Sequence, residues 1–311
     1  MMKILHDVHL HDYLSRCTNE WGATAMSMIR EAERTGLRLI GFSNHTWDES
    51  VPLPAPKDFY KKQSMAYEMQ IRDEVAEYKG DLKILIGAET EYCGMYDVLG
   101  MGKEAALTLD YLLIPHSHVH MRDFVMPSTP DVVRAREALS QKLAEIEGIT
   151  PERAVALAAK LPEKELEPYM GEKTVDYVQY VSDFMVKSFK GLMENEVLKS
   201  YSDLMPVSVA HPFQPCGSID MMDQMIALIP DHTFGDLFAE TARRGIGLEI
   251  NPWTNTPESY RMFGIAKECG CKFTVGSDAH GAPEMAKLPD ARPCIEHIGL
   301  TEDDLMDFVR T

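Results

Sequence analysis

Seven short runs of apolar and β-branched residues recur along the chain. Each gives way to polar residues, usually before a stretch of helical spacing. With their endings the runs read KILHDVHLH, LRLIGFSNH, LKILIGAETE, DYLLIPHSHVH, PVSVAHP, GIGLEINPW and CKFTVGSDAH. Short apolar runs bounded by polar and turn-forming residues predict strands. Between them, GATAMSMIREAERTG and YKKQSMAYEMQIRDEVAEYKG predict helices, the first with Gly36 as its stop. Strands alternating with helices pair in parallel through right-handed crossovers. Every run carries polar or metal-capable residues at its C-terminal end. An open sheet would gather such groups at one switch point, whereas a closed barrel gathers all strand ends around one mouth. The pattern therefore predicts an α/β fold, a distorted TIM-like (β/α) barrel of about seven strands.

One segment breaks the rhythm. From 129 to 205 the sequence is helix-like throughout, in PDVVRAREALSQKLAEIEG, PERAVALAAKLPEKELEPYM and TVDYVQYVSDFMVKSFKGLMENEVL. It reads as a helical insertion after the fourth strand, serving as a lid or wall over the mouth, or for packing or a homo-oligomer contact. No repeat, low-complexity tract or linker divides the chain, so residues 1–311 are expected to form one domain.

Charge narrows the function classes. The chain has 49 acidic and 31 basic side chains, a formal net charge of -18. That argues against a nucleic-acid surface, which should be basic. An anionic substrate would need a local source of positive charge, which a metal cluster supplies. No apolar run is long enough to span a bilayer, and MMKILHDVHLHD lacks the apolar core of a signal peptide, so a cytoplasmic protein without membrane partners is expected. The six cysteines, Cys17, Cys93, Cys216, Cys269, Cys271 and Cys294, form no zinc-ribbon or redox spacing and are expected to be mostly buried free thiols.

The strand ends form a single chemical set. His9 and His11 alternate along the first run and so share a face. His45 ends the second, and Glu89 and Glu91 end the third. His116, His118 and His120 follow the fourth, His211 ends the fifth, and Asp278 with His280 ends the seventh. Imidazole nitrogens with carboxylate oxygens suit zinc, manganese or iron, and a shared carboxylate can bridge two ions.

The motifs DVHLH, SNH, GAETE, HSH, AHP, LEIN and GSDAH resemble, in order, those of the PHP (polymerase and histidinol phosphatase) superfamily, and within it the histidinol-phosphatase-like proteins. The resemblance covers the chain apart from the helical insertion. It implies a distorted (β/α)7 barrel and hydrolysis of a small phosphorylated substrate, such as histidinol phosphate, over two or three divalent ions. By matching motif, His9, His11, Glu89 and Asp278 would hold a first ion. Glu89 would bridge to a second held by His211 and either His116 or His118. His45 and His280 would hold a third. Cys17 stands about where the family has another histidine ligand to that ion, and a thiolate also ligates zinc or iron. Asn44 stands where family members often carry Asp.

In such an enzyme a metal-activated hydroxide attacks phosphorus in line. Arg261 and Arg122 are the candidates to grip the phosphate, and His120 or His280 to protonate the leaving alkoxide. Glu249 and Asn251 would orient ligands by hydrogen bonds. Trp253, Trp47 and Tyr92 would line a pocket. Two other readings remain. An amidohydrolase would need an eighth strand and usually a bridging carboxylated lysine, and a non-hydrolytic metal- or ligand-binding protein is favoured only by Cys17.

Overall fold

The computed structural model describes residues 2–18, 22–146, 148–215 and 219–311. Cys216 lies outside the described residues. All seven apolar runs form strands. They are β1 (His6–Leu10), β2 (Leu39–Phe42), the third run divided at Gly87 into β3 (Lys83–Ile86) and β4 (Ala88–Glu89), and then, beyond a small hairpin of β5 (Tyr92–Cys93) and β6 (Val98–Leu99), β7 (Leu112–Leu113), β8 (Val207–Val209), β9 (Gly247–Ile250) and β10 (Lys272–Val275). The hairpin is antiparallel and every other pairing is parallel.

The strands lie in two main sheets, β1-β2-β3 and β10-β9-β8-β7-β4. Only Gly87 separates β3 from β4. At the other edge Leu10 bridges Ala279, with His11 N–H donating to Ala279 O at 2.9 Å and Ala279 N–H to His9 O at 3.3 Å. Because the pairing is parallel, the C-terminal ends of these strands face one side.

The helices are α1 (Ala25–Thr35), α2 (Met65–Val75), α3 (Lys103–Ala106), α4 (Pro130–Ala144), α5 (Pro151–Lys160), α6 (Glu163–Met170), α7 (Tyr177–Glu194), α8 (Glu196–Lys199), α9 (Ile219–Ala227), α10 (Asp231–Arg243), α11 (Pro257–Glu268) and α12 (Arg292–His297). α1 ends at Gly36, whose φ of 80° is the left-handed conformation that glycine adopts without a Cβ clash. Thr129, Thr150 and Thr256 each precede a proline and cap α4, α5 and α11. The hydroxyl accepts an otherwise unpaired N–H, and the proline has none to lose. Among the described residues no helix is long and apolar enough to cross a membrane.

Apolar faces of these elements meet in one continuous core. Tyr111 fills its centre, its hydroxyl donating to Val8 O at 2.7 Å and Phe42 O at 3.2 Å. Space for that ring comes from Gly41 and Gly87, where any β-carbon would collide with it. The helices between β7 and β8 divide in two. On α7, Phe189 and Leu192 belong to the main core, whereas Val132, Ala135, Leu139, Ala158 and Leu166 of α4 to α6 form a smaller core of their own.

Candidate metal centre

Glu89, the last residue of β4, lies buried at the centre of the strand ends. Its Oε2 is 2.9 Å from His45 Nδ1 and 3.5 Å from Nε2 of both His9 and His11. Its Oε1 is 3.0 Å from His211 Nε2 and 3.8 Å from His118 Nε2. Asp278 Oδ1 lies 3.4 Å from His9 Nε2 and 3.1 Å from His11 Nε2. One carboxylate thus faces two sets of imidazoles, with Asp278 closing the first.

Partners outside the cluster fix the orientation of the rings. His9 Nδ1 is 2.7 Å from Glu249 Oε1, His118 Nδ1 is 2.6 Å from Glu91 Oε2, and His211 Nδ1 is 2.9 Å from Ser117 Oγ. A ring nitrogen that donates to a carboxylate carries the proton, which leaves the other as a bare lone pair. In neutral His9 and His118 that nitrogen would be Nε2, the one aimed into the cluster. Glu249 also accepts from the His211 backbone N–H at 2.9 Å, so one buried acid braces two strand ends. Asp7 ties β1 to the loop after β10, accepting from Ser277 N–H at 2.9 Å and Ser277 Oγ–H at 2.6 Å. Gly276 permits the approach, because a β-carbon there would collide with His9 and Glu249. His211 and Asp278 have φ of 29° and 53°. Such left-handed backbone is costly for residues with a side chain and is typical of functional sites.

The donor set suits divalent metal. Among the described residues, Glu89 Oε2 and His11 Nδ1 are buried without an aligned hydrogen-bond partner, a costly state unless a cation satisfies such groups. Ligand atoms of His9, His11 and Glu89, and of Glu89, His118 and His211, all lie within 4.8 Å of one another. The same holds for His11, Cys17 and His45, and for His11, Asp278 and His280. Cys17 thus joins the histidines expected to hold a third ion. Burial pushes its thiol up, but the charges of His11 and His45 outweigh that and hold it down at about 2. Burial likewise opposes charge on His45, yet Glu89 and Cys17 raise its pKa to about 10. Glu89, whose burial acts to raise it, is held well below the carboxylate range by His45 and His9. A mixed nitrogen, oxygen and sulfur set of this kind fits zinc or iron.

Other expected residues lie elsewhere. His116 is turned away, its Nε2 accepting from Phe213 N–H at 3.1 Å and its ring edge-on to Phe189 and Phe213. Burial lowers its pKa to about 3, so it stays neutral. The chain leaves β7 at Leu113, so strand alternation no longer places His116 and His118 on one face. Arg261 bonds Glu258, Asp231 and the carbonyls of Ile226 and Ile229, which makes it a structural clamp. Arg122 bonds Tyr177 and lies 3.2 Å from Glu163, held by the helices after β7. His120 is exposed at the rim, its ring 5.4 Å from that of His118. Asn251 bonds Gln214 and no ligand, and Asn44 pairs with Asp12. Trp47 and Tyr92 are core residues, and Trp253 is half-buried.

Sequence reasoning missed Ser117, although it stands inside the HSH motif. It also missed Tyr60, the first residue of a run read only as helix, whose hydroxyl donates to Glu91 at 2.9 Å.

No protein-family model matches the sequence, and no curated protein matches it. Among solved structures, histidinol phosphate phosphatase from Lactococcus lactis subsp. lactis Il1403, complexed with zinc, L-histidinol and phosphate, matches with a TM-score of 0.55 and 17% identity, over 96% of this chain and 95% of that one. N-isopropylammelide isopropylaminohydrolase from Burkholderia multivorans matches over 96% of this chain and 70% of that one, at 14% identity and a TM-score of 0.37, too low to carry weight. The chain has the fold of a histidinol phosphate phosphatase, in agreement with the family its strand-end motifs resemble.

Proposed function

We propose that the protein is a metal-dependent phosphoesterase that hydrolyses a small phosphomonoester of the histidinol phosphate kind. The observation carrying this reading is the convergence of His9, His118 and His211 on Glu89 and Asp278, with their outer nitrogens occupied by Glu249, Glu91 and Ser117. The likeness in fold to a phosphatase complexed with zinc, L-histidinol and phosphate supports the substrate class. The edge bridge Leu10–Ala279 and the single-residue step from β3 to β4 support one distorted (β/α)7 barrel. The continuous core supports a single domain over 1–311, from which α4 to α6 form an excursion.

His9, His11, Glu89 and Asp278 would hold one ion and Glu89, His118 and His211 a second. His45, His280 and Cys17 would hold a third. Ions held there would supply Lewis acidity to a water and to the phosphoryl oxygens. Glu249, Glu91 and Ser117 keep the ligand rings oriented, and His120 at the rim is the candidate to protonate the leaving alkoxide. The test pairs metal analysis after reconstitution with zinc, manganese or iron with a phosphomonoester screen of wild type and Cys17→Ala. At least two ions per chain and hydrolysis of some ester are expected, with one ion fewer in the variant. Fewer than two ions and no hydrolysis anywhere in the screen would refute the reading.

A further inference from the structure

A phosphoesterase of net charge -18 repels its own substrate unless local cations reverse the field at the mouth. Neither arginine expected to do this is free, since Arg261 is clamped by carboxylates and carbonyls and Arg122 faces Glu163 and Tyr177. Lys57 differs from both. It lies in the connection from β2 to α2, which folds back over the cluster. There Trp47 N–H donates to Gln63 O at 2.8 Å and Gln63 Nε2–H to His45 O at 2.7 Å, while the Phe59 ring stands edge-on to His45 at 5.1 Å. Lys57 Nζ lies 5.8 Å from the centre of the Phe124 ring, which stacks on Tyr60 at 5.6 Å. Tyr60 in turn bonds the Glu91 oxygen that holds His118.

The ammonium is half-buried and lies within Coulombic reach of Glu91 and His120, yet no carboxylate is at ion-pair distance among the described residues. A desolvated cation without a counter-ion, at the rim of a cluster that recruits anions, is an anion-binding group awaiting its partner. We propose that Lys57 binds the phosphoryl group of the substrate, from the rim formed by Phe59 and His120. The assignment rests on the phosphoesterase reading and names the residue that grips the anion.

The test uses the full chain reconstituted with zinc, comparing wild type, Lys57→Met, Lys57→Arg and Lys61→Met. Lys61 is exposed and already paired with Asp58 at 2.8 Å, so it serves as the control. Inorganic phosphate binding is measured by calorimetry, KM and kcat with p-nitrophenyl phosphate, and metal content in parallel. Lys57→Met should weaken phosphate binding and raise KM by about 10- to 100-fold with metal content unchanged. Lys57→Arg should recover most of the loss, and Lys61→Met should match wild type. Unchanged phosphate binding in Lys57→Met, or a Lys57→Arg variant no better than it, would overturn the assignment while leaving the phosphoesterase reading intact. Phosphate binding that depends on Lys57 without hydrolysis of any ester would keep the assignment and overturn the phosphoesterase reading. Zinc-loaded wild type that binds no phosphate would overturn both.

Discussion

Glu249→Gln isolates the contribution of a residue that would touch neither metal nor substrate. Glu249 is fully buried and accepts from His9 Nδ1 at 2.7 Å and from His211 N–H at 2.9 Å, using one oxygen for each. Glutamine keeps the shape but offers only one acceptor, because its second terminal atom is a donor. If the amide oxygen stays on His9, an NH2 group opposes the His211 N–H. If the amide turns over, His9 loses its acceptor and is free to carry its proton on Nε2, the nitrogen that faces Glu89 and Asp278. Either way one charge-assisted hydrogen bond is lost, worth ~1.5–3 kcal/mol when buried. Zinc affinity is therefore predicted to fall by about 10- to 100-fold, or ~1.4–2.8 kcal/mol. Competition against a chelator of known affinity measures this directly. The metal-free variant should fold but melt a few degrees below wild type, since the lost bond leaves a buried donor unpaired at a cost of ~1–3 kcal/mol. A folded variant that binds zinc as tightly as wild type would refute the claim that Glu249 fixes the His9 ring for metal.

Three further outcomes are expected. In metal-free protein, against the effect of burial, Glu89 and then Cys17 hold His45 up at about 10, and Cys17 and then Asp278 hold His280 up at about 9. Their contribution is complete below the unfolded value of about 6.5 and is lost as pH rises through 9 to 10, and the two imidazoliums outnumber the opposing Cys17 thiolate. The melting temperature of chelated protein should thus fall from about pH 7 to about pH 10, and a Cys17→Ser variant should flatten the slope; an equally steep slope in that variant would rule out the thiolate as its source. Arg261→Ala removes bonds to Ile226 O, Ile229 O and two carboxylates. It should cost ~1–3 kcal/mol of stability in urea titrations with KM unchanged, whereas a raised KM at full stability would return Arg261 to the substrate. Gly276→Ala drives a methyl group into His9 and Glu249. It should destabilise by ~1–3 kcal/mol and weaken zinc binding, and a neutral result by calorimetry would contradict the close approach of β10 to β1.

The seven strands and most helices were legible in the sequence because their signals are local. Alternation on a strand, the 3.6-residue period and a glycine stop such as Gly36 are set by backbone geometry within a few residues. The chemistry at the strand ends was legible for the same reason, since parallel pairing turns every C-terminal end the same way. Local rules failed where the backbone leaves the strand. Past Leu113 alternation stops, and tertiary contacts separate the two, His116 with Phe189 and Phe213 and His118 with Glu91. They failed again where a partner is remote. Glu249 orients a histidine 240 positions earlier, and Arg261 is committed to carbonyls more than thirty positions away. The chain by itself determined which strands form and which metal-capable side chains they carry. Tertiary structure alone decided which nitrogen, thiol or cation meets which partner, because those contacts depend on which strands adjoin.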